Sequence, residues 1–218
     1  MGVGEGDLWV RMRWPMDTDE LKTPLLLLAM PQVQDPFFQR SVVLLLHHQD
    51  EGSLGFIVNR PTEVKISEIL DDLEIPWSGE DDAIAFFGGP VEPQQGTLIY
   101  HVSPEFLPPE DDPKDEDDEA TQRIVFPGVA LSQHVGDLKS LAVEPPDSFR
   151  LLLGYAGWGE GQLVREILRN DWIIAPPRLD LIFNDDPGDM WESALASVGI
   201  NPGQLPSWTR GDDEPAAN

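Results

Sequence analysis

The chain has 218 residues, with 14 Lys and Arg against 40 Asp and Glu and a formal charge of −26. It contains no cysteine, which excludes disulfide frameworks, thiolate metal sites, iron–sulfur ligation and cysteine nucleophiles. So acidic a surface repels phosphate backbones and anionic lipid, which disfavours direct nucleic-acid binding, and no apolar run approaches the roughly 20 residues of a membrane span.

Residues 1–23 read as a loosely ordered N-terminal extension. The stretch is acidic, is broken by Arg11, Arg13 and Pro15, and lacks the basic start and apolar run of a signal peptide. Cytoplasm is the expected compartment. The domain is expected over 24–205, with a polar tail at 206–218. Leu25–Met30 is a continuous apolar run suited to a strand buried on both faces. Ser41–His47 and Leu54–Val58 flank Gln49–Ser53, whose composition predicts a hairpin turn. Asn59-Arg60-Pro61 is expected to close the second strand, since proline cannot donate to a ladder.

Ile66, Ile69, Leu70 and Leu73 recur at i, i+3, i+4 and i+7 and predict a short helix ended by Pro76. Strands are expected at Ile84–Phe87 and Thr97–His101, around the turn Gly88-Gly89-Pro90-Val91. Residues 107–122 are proline-flanked and acidic. Within them Glu110–Glu119 carries −7, so the rest of the chain still holds −19. That segment is expected to be a disordered, solvated insertion.

Further strands are expected at Ile124–Phe126, Val129–Leu131, Phe149–Gly154, Ile173–Ala175 and Leu179–Phe183. Helices are expected at Gly161–Asp171 and at about Asp189–Val198. Strands in succession with helices at intervals predict an α+β domain with substantial antiparallel pairing.

Two places invite a functional reading. Leu153–Gln162 is glycine-rich and is expected to turn from strand into helix around Gly154, Gly157 and Gly161. Such a turn can cradle an anion with backbone amides, but the spacing fits neither a dinucleotide nor a P-loop fingerprint, and Glu160 opposes an anion. Close packing, with Tyr155 and Trp158 filling a groove, is the preferred reading. The second place gathers Asp35, Arg40, His48, Asn59 and Arg60 around the hairpin, with Asp35 and Arg40 spaced to bond each other or to cap the turn. It is either a ligand pocket or a set of local hydrogen bonds that fix register, and register is preferred.

His47 and His48 adjoin, so on a strand they point to opposite faces and do not share a metal. No GxSxG elbow is present. No cofactor or metal is implied.

These segments form an ordered series: Leu28–Pro31, Asp35-Pro36-Phe37 with Arg40–Val43, Gly55 and Ile57–Pro61, Gly88–Val91, Leu153–Trp158 and Gly161–Leu163. In that order, over about Leu25 to Leu205, the chain resembles the YqgE/AlgH family. The resemblance implies a single compact α+β domain with a largely antiparallel, bifurcated β-sheet that includes a small closed barrel flanked by helices. Its members are bacterial, cytosolic and biochemically uncharacterised. Their label of transcriptional regulator implies no DNA-binding or catalytic set to carry over. This chain has Leu46-His47-His48 where many members have Cys-Glu-His, and the acidic insertion and the N-terminal extension are additions to the family pattern.

The function expected is therefore that of a non-enzymatic regulatory protein acting through a protein partner. A small-molecule or anion-binding protein using either candidate cluster is the alternative. A direct DNA-binding regulator is disfavoured by charge.

Overall fold

The computed structural model describes residues 21–103, 123–184 and 186–205. The acidic insertion, the C-terminal tail and all but the end of the N-terminal extension lie outside the described residues.

The first strand, β1 (Leu25–Ala29), is buried throughout and pairs antiparallel with two neighbours, β2 (Val42–Gln49) and β10 (Trp172–Ala175). Its continuous apolar run follows from that position. Leu26 and Leu28 enter one core while Leu25, Leu27 and Ala29 enter another, so neither face meets water. Along β2 the same alternation sends Val42 and Leu44 one way and Val43 and Leu45 the other.

The expected hairpin is present: β2 returns as β3 (Gly52–Ile57), with Gln49 opposite Gly52 across Asp50-Glu51. A register shift between Leu45 and His47 precedes the tip. The second strand does end ahead of Asn59-Arg60-Pro61, at Ile57, and Pro61 starts a new one. This is β4 (Pro61–Lys65), a short strand whose only ladder among the described residues is to β5 (Ile84–Phe87). The first residue of an edge strand is a position that tolerates the missing N–H.

The predicted helix is α1 (Ile66–Asp72). It buries Ile66 and Leu70 but leaves Leu73, just past its end, exposed. After β5 come β6 (Val91–His101), β7 (Arg123–Phe126) and β8 (Val129–Ser132), the last two forming a hairpin around Pro127-Gly128. A helix that the periodicity did not reveal follows, α2 (Val135–Val143). It is capped by His134, whose Nδ1 accepts a bond from the Gly136 amide at 3.1 Å.

The branch of the sheet is β9 (Phe149–Gly159). It pairs with β6 on one side, and on the other with β5 near Leu152 and with β3 from Ala156 onward. The sheet is therefore bifurcated and curls as a half-barrel with helices against it. The C-terminal part adds α3 (Gln162–Leu168), then β10, then α4 (Leu179–Ile182) and α5 (Met190–Ser197).

Leu179–Phe183 was expected as a strand but forms the single turn α4. Pro176-Pro177 removes two consecutive ladder donors, and Leu181 and Ile182 are buried from a helical turn instead. Arg150 ties this region to the sheet. Buried beneath it, the guanidinium donates to the carbonyls of Ile182 (2.8 Å) and Asn184 (2.7 Å) and lies 4.1 Å from the Phe86 ring centroid.

A third core lies under α1 and α2, where Ile66, Leu70 and Ala142 meet Leu98, Tyr100, Ala130 and Leu151 of the sheet. No helix among the described residues is long and apolar enough to cross a membrane.

Candidate functional site: an apolar groove beside two tied polar clusters

The structure distributes the hairpin cluster into separate local roles. Asp35 accepts the Phe37 amide on Oδ1 at 2.9 Å and so caps its own turn. It forms no ion pair with Arg40, whose guanidinium lies 5.2 Å from the Trp191 ring centroid. Arg40 has φ +54°, a left-handed conformation that costs a non-glycine residue about 1–2 kcal/mol.

Asn59 holds that strained residue in place. Its Oδ1 accepts the Val42 amide at 2.8 Å and its Nδ2 donates to the Arg40 carbonyl at 2.9 Å. Arg60 donates to the Gln39 carbonyl, and burial lowers the pKa of its guanidinium from the usual value. His48 sits across the hairpin from Ser53, with Nδ1 and Ser53 Oγ 2.7 Å apart.

The glycine-rich stretch is strand rather than turn as far as Gly159. Gly154 (φ +71°) lies where backbones cross, and a Cβ there would stand 2.4 Å from the Gly89 carbonyl oxygen. Gly157 pairs with Leu54 in the ladder, and Gly161 (φ +63°) is the left-handed residue that leads into α3. Gly154–Gly159 thus belong to β9, and the Gly159 amide donates to Gln162 Oε1 at 3.2 Å.

Asp35 and Gly157 do line a common cleft of about 390 Å³, together with Trp158, Glu166 and Trp172. The sequence places Glu166 within the family pattern but gives it no functional role. Its Oε2 accepts both indole N–H groups, from Trp158 at 2.9 Å and Trp172 at 2.8 Å, and its Oε1 accepts Gln162 Nε2 at 2.9 Å. Three donors on one carboxylate, with Phe38 packed on both indoles, make this a tie between α3, β9 and β10. Glu166 stands four residues after Gln162 on the helix, and that spacing was the one legible signal.

Among the described residues no group of three or more His, Cys, Asp or Glu is placed to hold a metal.

A second concavity has a different character. Between α1, α2 and the start of β6 lies a groove of about 360 Å³. Its floor is Leu98, Leu151 and Leu153, and its walls are Ile69 and Leu73 on one side and Val135 and Leu138 on the other. Leu73 is 47% exposed and Val135 49%. The rim forms because the β6–β9 register jumps from Val91 opposite Tyr155 to Gly96 opposite Leu153. Glu92–Gln95 leave the ladder there, and Gln94 and Gln95 border the groove.

The polar groups around it bond one another. Gln133 Nε2 donates to Thr97 Oγ1 at 2.8 Å and Ser132 Oγ donates to Asp137 Oδ2 at 2.5 Å. The sequence signal for the groove was weak: Leu73 fits the apolar period of α1, and period alone assigns it to the core.

The AlgH-like family model matches residues 26–203. A UPF0301 protein of Methylococcus capsulatus is 36% identical over 178 residues, covering 80% of this chain and 88% of its own length. One from Myxococcus xanthus is 34% identical over 183 residues, covering 84% and 93%. Among solved structures, the solution structure of the AlgH protein from Pseudomonas aeruginosa superposes with a TM-score of 0.64 at 27% identity, covering 86% of this chain and 93% of that one. A crystal structure of a Corynebacterium diphtheriae protein shares the fold, with a TM-score of 0.65 at 21% identity over 88% and 93% of the two chains. Fold, extent and sequence agree, and the chain belongs to the AlgH-like family, a family of uncharacterised proteins.

Proposed function

We propose that this protein is a non-catalytic binding protein that acts through a protein partner, whose apolar segment it holds in the groove between α1, α2 and β6. One observation carries the reading: Leu73 and Val135, each about half exposed, face the same concavity over a leucine floor. An exposed apolar side chain standing alone needs no explanation, but a concave apolar surface marks a contact site. Covering what remains exposed of Leu73 or Val135 stabilises a complex by about 1 kcal/mol each, about fivefold in Kd.

A photo-crosslinking amino acid at Gln95, on the rim, tests this in the producing cell, with the same group at Asp50 on the hairpin tip as the control. A discrete adduct from position 95 alone, lost in Leu73→Ser/Val135→Ser, is expected. Identical adducts from both positions, or an adduct indifferent to the double substitution, would overturn the proposal.

A further inference from the structure

The two walls of the groove differ in charge. The α1 wall and its exit, Ile66–Glu74, carry Glu68, Asp71, Asp72 and Glu74 and no basic residue. All four carboxylates are exposed, and Asp72 itself lines the groove. Glu68 precedes Asp72 by four residues and so shares its face of the helix. The rim adds an exposed Glu92. The α2 wall is balanced, with Asp137 engaged by Ser132 and Lys139 exposed. An apolar floor with a carboxylate row along one side sorts partners by charge, because like charges in contact are penalised while opposite ones gain in rate and register.

Resting on the groove reading above, we infer that the partner segment is a basic amphipathic one, with leucine-type anchors for the floor and a row of Lys or Arg on the flank that meets α1. Helix-in-groove recognition takes this form, with anchors at i, i+3, i+4 and i+7. The chain's net charge of −26 draws such a segment in and repels an acidic one of the same apolar pattern.

The test uses the full chain and four fluorescein-labelled 16-residue peptides, read by anisotropy. Three carry leucine anchors with Lys, Ser or Glu flanks, and the fourth carries Lys flanks with Ser in place of the anchors. The Lys-flanked leucine peptide is expected to bind about tenfold or more tighter than its Glu-flanked counterpart at 50 mM salt. The gap should close to about twofold at 1 M, where the Debye length is about 3 Å.

Glu68→Lys/Asp72→Lys, at two exposed positions, should narrow the preference for Lys over Glu flanks to about threefold or less at 50 mM salt, and an unchanged tenfold preference would refute the carboxylate row. Leu73→Ser/Val135→Ser should weaken all three leucine peptides about equally. If the leucine peptides bind alike whatever their flanks, the basic partner is refuted and the groove stands. If the anchorless Lys peptide binds as well as the anchored one, or if no leucine peptide binds, the groove reading falls and the inference with it.

Discussion

Asn59 is the residue on which the two readings of the hairpin cluster diverge, and replacing it measures the difference. Its amide is oriented by its partners, oxygen toward the Val42 N–H and nitrogen toward the Arg40 carbonyl. Asn59→Ala removes two hydrogen bonds worth about 1 kcal/mol each and leaves the fully buried Val42 amide without an acceptor, a further cost of about 1–3 kcal/mol. The expected loss is about 3–5 kcal/mol, or about 6–20 °C in Tm for a chain of this size.

Asn59→Asp separates the two bonds. The carboxylate still accepts from Val42 but sets an oxygen against the Arg40 carbonyl, so the folded state raises the new carboxyl's pKa above the ordinary value of about 3.9. Folded protein then binds more protons than unfolded between those two pKa values, and stability falls as pH rises through that window. Relative to the unsubstituted chain at the same pH, the Asp variant should be most deficient at neutral pH and recover toward pH 4, where the protonated group donates to Arg40.

Thermal denaturation across pH, with hydrogen exchange at the Val42 amide, reads both variants. A Tm for Asn59→Ala within about 2 °C of the parent, or an Asp deficit that does not change with pH, would refute the clamp.

Glu166 should behave as a shared acceptor. Glu166→Ala strands two buried indole N–H groups and is expected to cost about 2–5 kcal/mol, whereas Glu166→Gln keeps one oxygen for both and should cost about 1–2 kcal/mol. Urea denaturation followed by tryptophan fluorescence ranks them, and equal losses would contradict the geometry. The hydrogen bond from Arg178 holds the Asp180 carboxyl below its usual pKa. That contribution is present above the unfolded carboxyl's pKa and is lost as pH falls through the depressed folded value. Both groups are about half exposed, so Asp180→Asn should cost no more than about 0.5 kcal/mol at pH 7 and nothing in 1 M salt; a loss above 1 kcal/mol would contradict a screened surface pair.

Legibility in the sequence followed the range of the forces involved. Leu25–Ala29, the Gln49–Gly52 hairpin and the faces of α1, α3 and α5 are written in local periodicity and turn chemistry, which decide those segments without help from elsewhere. Three features depend on partners distant in sequence and were not legible locally. Gly154–Gly159 looked like a turn because glycine favours turns. It is strand because the backbone of Gly89 crosses Gly154 too closely for a side chain. Leu179–Ile182 has strand composition, but its apolar residues are needed in a core already ten strands wide, and the preceding prolines bar the ladder. Residues Val135–Val143 carry a glycine and a weak apolar period, and their helix depends on the His134 cap and on burial of Ala142 beneath it. The family resemblance supplied what local pattern did not, a branched sheet with helices around it.

The branch at β9 explains why the two sides of the molecule offer different chemistry. Where β9 joins β3, the sheet is covered by α3 on one face and α5 on the other, and most polar side chains there are consumed in closing it: Asn59 on Val42 and Arg40, Glu166 on two indoles, Trp191 Nε1 on the Ala29 carbonyl at 2.7 Å, with the buried Ser41 hydroxyl the exception among the described residues. Where β9 joins β6, the cover is α1 and α2, two short helices set on either side of the Leu98–Leu151 floor, and the ladder opens at Glu92–Gln95 instead of closing over it. A polar cluster whose donors and acceptors are already matched gains little from a ligand, since any new bond replaces an existing one. A half-exposed leucine over an apolar floor gains transfer free energy from whatever surface a partner covers, offset in part by the cost of association. The thermodynamic advantage of binding therefore lies on the α1–α2 side, and the basic segment proposed above would add to it by meeting Asp72, which lines the groove.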